Sequence, residues 1–234
     1  MEINIDDLQE KLDESNAIEP PRSMNELMER IYQAGELWRE EHAETVGKKD
    51  GLGVKIPLPP IYTVAKELSK IVTFTFITKS NTPDNSLLYM YDLDEGIYTA
   101  SADEFNVLCK TFDNRIKPND WKQIKMMVRT MTKISRPLES ANLVPVENGI
   151  LDLKNKELLP FNPKYVITSK IATAYKPPKS IPKDREGNTF DDWLNSIACG
   201  DSELVTLFWQ IILEAINPNY TRNKFAIFYG DGNN

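Results

Sequence analysis

The sequence predicts an α+β fold in which mixed helices alternate with short antiparallel hairpins. Three observations predict it. Capping-box tetrapeptides, "SMNE" at Ser23 and "SADE" at Ser101, each open a stripe of apolar residues at helical spacing. Runs rich in aromatic and β-branched residues flank polar turns in "LLYMYDLDEGIYTA" and "NGILDLKNKELLPF". The 234 residues are 41% hydrophobic and 27% charged, an ordinary globular composition, and no internal repeat is visible.

Taken in order, residues 1–20 carry a short helical pattern, Ile5, Leu8 and Leu12, closed by Pro20-Pro21. Leu27, Ile31, Ala34 and Trp38 then mark one face of a helix that stops before Gly47. "GKKDGLGVKIPLPP" reads as a connector because of its glycines and prolines. "YTVAKELSKI" predicts a helix, "VTFTFIT" a strand and "SNTPDNS" a loop. Phe105, Leu108, Cys109 and Phe112 form the next helical stripe. A further helix begins at Asn119 or Asp120 and ends before Pro137. Beyond it, "YVITS" and "IATAY" read as short strands and "KPPKSIPKDREGN" as a loop. "TFDDWLNSIA" and "DSELVTLFWQIILEAI" are helices, the second apolar on most faces and so expected to be buried. "KFAIFYG" reads as a strand that enters a glycine loop. Three regions follow: an acidic helical arm with its linker (1–55), a mixed α/β body (56–195) and a final segment (196–234).

Charge is unevenly distributed. The net charge is −7, yet residues 1–50 hold 14 of the 35 acidic and 6 of the 28 basic side chains. The rest of the chain is therefore close to neutral, and any nucleic-acid surface must arise from local clustering. The acidic arm reads first as a solvated charge run, or else as a helix that docks on a neighbouring subunit. The longest apolar runs fall well short of the roughly 20 residues that span a bilayer, and the acidic start lacks a signal-peptide layout. These features predict a soluble cytoplasmic protein with no membrane partner. Cys109 and Cys199 show no C-x-x-C spacing, and the single histidine, His42, cannot build a Cys/His zinc site or a hydrolase triad.

Four constellations carry candidate chemistry. Gly230, Asp231, Gly232, Asn233 and Asn234 fit the first glycine and the variable positions of G-x-x-x-x-G-K-[ST]. A surface turn fits the same five residues. Asp92 and Asp94, alternating on a strand, would turn both carboxylates to one side, as a Mg²⁺ site for nucleotidyl transfer requires. Polar residues flanking the Gly96 turn are the simpler account. Archaeo-eukaryotic-type primases place a histidine after such a pair, whereas His42 precedes it here. In "NDWKQIKMMVRTMTKISR", Trp121, Ile124, Val128 and Met131 form a core stripe. Lys122, Lys125, Arg129, Lys133 and Arg136 recur on a face whose mean direction lies roughly 120° away, as a phosphate backbone or plain solvent would favour. Finally, Lys164, Lys170, Lys176 and Lys179 interleave with Phe161, Tyr165 and Tyr175. Single-stranded nucleic acid suits that mixture, although the rings can equally be core residues.

The order of these segments from about residue 85 resembles the region preceding the motor in phage, plasmid and poxvirus-type primase–helicases of superfamily 3. The resemblance rests on "LLYMYDLDEGIY", the Lys-rich helix, and "VPVENGILDLKNKELLPFNPKYVITSKIATAY" with Asn148, Gly149, Asp152, Leu153, Pro163, Thr168 and Tyr175 at the family's positions. It continues through "FDDWLNSIACGDSELV" to "FAIFYGDGNN", where the family has its Walker A loop. The resemblance implies a collar of helices and hairpins, followed by the first helix and strand of a P-loop AAA+ motor cut inside Walker A. It further implies ATP-driven DNA unwinding by a hexameric parent, with ATP and Mg²⁺ as cofactors. DNA as single strand or fork is the implied partner, with any primase on a separate chain or domain. In phage- or plasmid-encoded form the compartment is the bacterial host cytoplasm. The 234-residue chain alone is expected to be inactive and to hold no cofactor. The competing reading is a non-enzymatic DNA-binding or replication-initiation adaptor.

Overall fold

The computed structural model describes residues 19–48, 51–78, 87–140, 142–177, 179–216 and 225–229. The pattern Ile5, Leu8 and Leu12, the loop at 80–86 and the glycine loop Gly230–Asn234 lie outside the described residues. Among the described residues the fold is α+β, with six helices and short, mostly antiparallel sheets. The chain divides into two compact units, Met1–Arg136 and Pro137–Asn234.

In the first unit, α1 (Met24–Glu41) starts where the capping box places it, with Ser23 Oγ accepting the N–H of Glu26 at 3.2 Å. The reciprocal bond shifts one residue upstream: the Glu26 carboxylate accepts from Arg22 N–H at 2.8 Å. Leu27, Ile31 and Trp38 are buried as their spacing predicts, and they join the core. The helix expected in an acidic arm therefore packs into its own unit. Gly35 rather than Ala34 completes the buried stripe. A Cβ on Gly35 would lie 1.9 Å from the carbonyl oxygen of Phe112, so only glycine permits this approach.

The helix ends at Glu41, earlier than Gly47. The expected connector contains a hairpin instead. Glu44–Lys48 (β1) pairs with Gly51–Lys55 (β2) in register from Glu44↔Lys55 to Lys48↔Gly51. Glycines contribute no side-chain alternation, so the period-2 signal was absent from the sequence. Next, α2 (Ile61–Ile71) buries Val64, Ala65 and Leu68.

Phe74–Ile77 (β3), Leu88–Asp92 (β4) and Ile97–Thr99 (β5) follow, the last two as the expected hairpin. Helix α3 (Ala102–Phe112) buries Phe105, Leu108, Cys109 and Phe112 as predicted. Burial pushes the Cys109 thiol up to about 12, which leaves it an inert core residue. Helix α4 (Pro118–Met131) buries Ile124 and Val128. It stops well before Pro137, because Ile134–Ser135 (β6) adds in parallel to β3. The open edge of β3 asks for this: Phe76 N–H donates to Lys133 at 3.1 Å and Thr78 N–H to Ser135 at 3.2 Å. Buried Thr75 completes the join, its hydroxyl donating to the Ser135 oxygen at 2.6 Å. The sheet order is β5-β4-β3-β6, and Phe76, Leu88 and Met90 face the four helices.

The second unit begins with the antiparallel sheet β7 (Leu143–Val146), β8 (Gly149–Asp152) and β9 (Glu157–Leu159). Val144, Val146 and Ile150 form its buried face. The strands expected at "YVITS" and "IATAY" do not form; one bridge, Val146↔Ile171, marks where the second runs beside β7. Ile171 N–H donates to the Pro145 carbonyl at 2.9 Å. Pro145 has no N–H to return, and beyond it Glu147 N–H donates to the Thr173 carbonyl at 3.2 Å.

Helix α5 (Phe190–Ile197) has a full capping box from Thr189 and Asp192. Helix α6 (Ser202–Ile216) does not meet its expectation of burial. It has no buried residue, and Leu204, Leu207, Leu213 and Ile216 are exposed. Its apolar character is real; α5 packs against it, and Phe208 stacks on Phe228. Residues 225–229 form no strand, because a strand exists only where a neighbour completes its ladder.

Candidate nucleic-acid interface

The basic series of the first unit is split by the end of α4. Lys122, Lys125 and Arg129 lie on the helix, while Lys133 and Arg136 follow it. A helical period no longer relates the last two to the first three. Trp121 and Met131 are only partly buried but pack against the core beside Ile124 and Val128. Lys125 Nζ lies 5.8 Å from the centre of the Phe105 ring and the Arg129 guanidinium carbon 4.8 Å from that of Phe76. These two cations thus lie over aromatic faces at the margin of the core. Lys122, Lys133 and Arg136 are exposed.

In the second unit the basic and aromatic residues pair directly. Lys164 Nζ lies 4.8 Å from the Tyr165 ring centre and Lys170 Nζ 5.3 Å from that of Phe161. Phe161, Tyr165 and Tyr175 are half-buried, so each is partly core and partly surface. Lys176 and Lys179 are exposed in the loop that follows.

The residues that carry the sequence resemblance hold this unit together. Asn148 receives the N–H of Tyr175 on Oδ1 at 2.8 Å and donates Nδ2 to the Tyr175 carbonyl at 3.0 Å. One side-chain amide thereby stands in for a missing strand neighbour. Gly149 (φ 151°) sits where a Cβ would lie 2.5 Å from the Leu159 carbonyl oxygen. Asp152 Oδ1 accepts from the N–H groups of Lys154 (2.9 Å) and Asn155 (3.3 Å), and Oδ2 accepts from Asn155 Nδ2 (2.8 Å). Desolvation opposes ionisation of Asp152, but these donors outweigh it and hold its carboxyl below the ordinary range.

That turn has a twin in the first unit. Asp92-Leu93-Asp94-Glu95-Gly96 and Asp152-Leu153-Lys154-Asn155-Lys156 occupy the same frame between paired strands. In each, the first aspartate accepts two successive turn N–H groups; for Asp92 these come from Asp94 and Glu95, both at 2.9 Å. In each, the fifth residue is left-handed, with φ 71° at Gly96 and 58° at Lys156. The recurrent D-L-x-x-x frame was the sequence signal for this likeness.

The geometry also corrects the carboxylate pair. Strand β4 ends at Asp92, so Asp94 belongs to the turn and strand alternation does not apply. Asp92 folds its own turn, and Asp94 Oδ1 accepts the N–H of Met24 at 3.1 Å. No group of three or more His, Cys, Asp or Glu side chains capable of holding a metal occurs among the described residues.

A cavity of about 420 Å³ lies at the end of α3, lined by Glu36, Arg39, Lys110, Asp113 and Arg115 among others. Its guanidinium groups are committed to protein acceptors. Arg115 binds buried Asp113 through Nε and Nη2 at 3.0 and 2.6 Å and reaches the Ile56 and Pro57 carbonyls at 2.9 and 3.0 Å. Arg39 donates to the Phe112 carbonyl at 2.8 Å and forms an ion pair with Glu36. This is a structural latch. Proximity in sequence did not reveal it, because the contacts that close it, Arg39 to Phe112 and Arg115 to Ile56 and Pro57, each span more than fifty residues.

Residues 89–199 match the family described as D5 N terminal like. Domains of that family occur in primase–helicase proteins of replication. The matched span is just under half of the chain, runs from β4 to the end of α5, and includes both hairpin turns and the Asn148 amide clamp. It leaves α1, the β1–β2 hairpin, α2 and β3 before it and α6 after it. No curated protein matches the sequence. No helix among the described residues is long and apolar enough to cross a membrane.

Proposed function

We propose that the chain is the collar region of a replicative DNA primase–helicase, serving DNA engagement and ring assembly ahead of an ATP-driven motor. The observation that carries this reading is the D5 N terminal like match over residues 89–199. Helix α6 supports it: an apolar helix directly after the matched span, with Leu204, Leu207, Leu213 and Ile216 exposed, is suited to packing against a further domain. On this reading Gly230-Asp231-Gly232-Asn233-Asn234 begins a Walker A loop, whose lysine and hydroxyl residue would follow in the parent. ATP and Mg²⁺ belong to that motor, the ring is a homo-oligomer, and any primase activity resides elsewhere. DNA engagement falls to basic side chains of the two units, Lys122, Lys125, Arg129, Lys133 and Arg136 in one and Lys164, Lys170, Lys176 and Lys179 in the other.

The test compares the 234-residue chain with the chain extended through its downstream reading frame. The extended protein is expected to hydrolyse ATP with stimulation by single-stranded DNA, and the 234-residue chain to show no hydrolysis. A stop codon directly after Asn234, or an extended protein without ATPase activity, overturns the reading.

A further inference from the structure

Two hairpins of one design differ at their tips in a way their folds do not require. The left-handed fifth position is Gly96 in one and Lys156 in the other. Glycine reaches this conformation without steric cost, whereas a lysine side chain opposes it. Backbone geometry therefore explains Gly96 and offers no reason for Lys156, which directs attention to its side chain.

The surroundings agree. Lys154, Asn155 and Lys156 are all exposed, at the end of a hairpin whose strands are fixed from Asp152↔Glu157 inward. The Asp152 carboxylate is spent on three turn donors and is the acid that shapes the tip. Glu157 is the exposed acid at its base. In the twin, the corresponding side chains are Asp94 and Glu95, and Asp94 is turned onto the backbone of α1. One tip is thus used inward and the other presents two exposed ammonium groups, Lys154 and Lys156.

We propose that the β8–β9 tip is a phosphate-contacting prong, in which Lys154 and Lys156 bind the sugar–phosphate backbone of a nucleic acid without reading its sequence. The proposal rests on the DNA-engaging function argued above and adds a site to it. Lysine suits the task as a point charge on a long stem, and a rigid turn lowers the cost of presenting two of them together. Each contact releases counterions, so binding through the prong carries a salt dependence.

The experiment measures binding of the full 234-residue chain to a fluorescein-labelled thymidine oligonucleotide by anisotropy across a salt series. The thermal midpoint is recorded alongside. Lys156→Gly removes the charge and relieves the backbone, so its midpoint is expected to rise by roughly 2–4 °C while its affinity falls roughly threefold. Lys154→Ala combined with Lys156→Gly is expected to shrink the salt slope by about 1.4, at about 0.7 per single-strand phosphate. Lys156→Arg is expected to retain binding. Wild-type binding with unchanged affinity and slope in the double variant overturns the prong and leaves the DNA-engaging reading standing. A wild-type chain that binds no oligonucleotide at low salt overturns the prong through the reading on which it rests.

Discussion

The Asp94 carboxylate accepts the backbone N–H of Met24 at 3.1 Å, across a separation of 70 residues. Met24 is the first residue of α1, whose leading N–H groups have no partner within the helix. A hairpin turn thereby caps a distant helix, and its negative charge meets the positive end of the helix dipole. Asp94→Asn is expected to cost about 0.5–1 kcal/mol of stability in a denaturant titration. Mg²⁺ titrated into wild type and into the Asp92→Asn, Asp94→Asn double variant is expected to give the same response. A metal affinity lost in the double variant would return the pair to catalytic candidacy.

The Asn148 amide holds Tyr175 through both of its polar atoms. Asn148→Ala removes both bonds from a segment that has one bridge to its neighbouring strand. A loss of roughly 1–2 kcal/mol is expected, with faster proteolysis within residues 165–185. Asn148→Asp keeps the acceptor and removes the donor, so it should fall between the two. Cleavage unchanged in Asn148→Ala would mean that the segment is held by other contacts.

Gly35 marks the closest approach of α1 and α3. In an exposed helix, alanine at a glycine position stabilises; here the new Cβ would meet the Phe112 carbonyl oxygen at 1.9 Å. Gly35→Ala is expected to destabilise by about 2–3 kcal/mol, reversing the propensity trend. A more stable variant in thermal unfolding would contradict the contact.

Asp113 is 1% exposed and is held below the ordinary carboxyl range. Desolvation raises its pKa, but the hydrogen bonds and charge of Arg115, with Arg39 behind them, more than reverse this. A depressed folded pKa means that the stabilisation is present above the unfolded carboxyl value. It is lost as pH falls through the folded value. Asp113→Asn is expected to lower stability by on the order of 2 kcal/mol at neutral pH and to flatten the acid limb of the stability profile. An acid limb of wild-type steepness in Asp113→Asn would assign acid unfolding to other groups.

Lys125 and Arg129 provide a separate test of DNA engagement in the first unit. Both lie over rings at the core margin, with part of their length used in packing. Lys125→Ala with Arg129→Ala is expected to weaken oligonucleotide binding about equally across sequences and to reduce the salt slope by roughly one to two. A small loss of stability should accompany it, because the aliphatic stems go as well. An unchanged slope would leave these cations with a packing role alone.

The sequence was most legible where a side-chain period and a cap coincide. Ser101 with Phe105, Leu108, Cys109 and Phe112 specifies α3 in full, and Ser23 with Leu27, Ile31 and Trp38 specifies most of α1. It was least legible where backbone needs decide. The β1–β2 hairpin is rich in glycines and carries no alternation, and β6 is only two residues long, formed to meet an open edge of β3. "IATAY" has the composition of a strand, yet it meets β7 through one bridge and the Ile171–Pro145 and Glu147–Thr173 backbone bonds rather than a regular ladder. Among candidate-site residues, Lys122, Lys125 and Arg129 lie on one helix as their spacing implied. The end of that helix at Met131 separates Lys133 and Arg136 from them, and a helical count could not register the break.

Arg115 grips the Ile56 and Pro57 carbonyls just past β2, while β1 and β2 pair with each other and join neither of the other sheets. An isolated two-stranded ribbon is marginal in water, so its opening need not involve the core that begins at α2. Amide hydrogens of residues 44–48 and 51–55 should then exchange as one early group, while those of α1 and α2 on either side exchange late. The ribbon is in this sense a detachable unit of cooperativity, fastened at its root by the Arg115 guanidinium and by Ile56, which packs against the core.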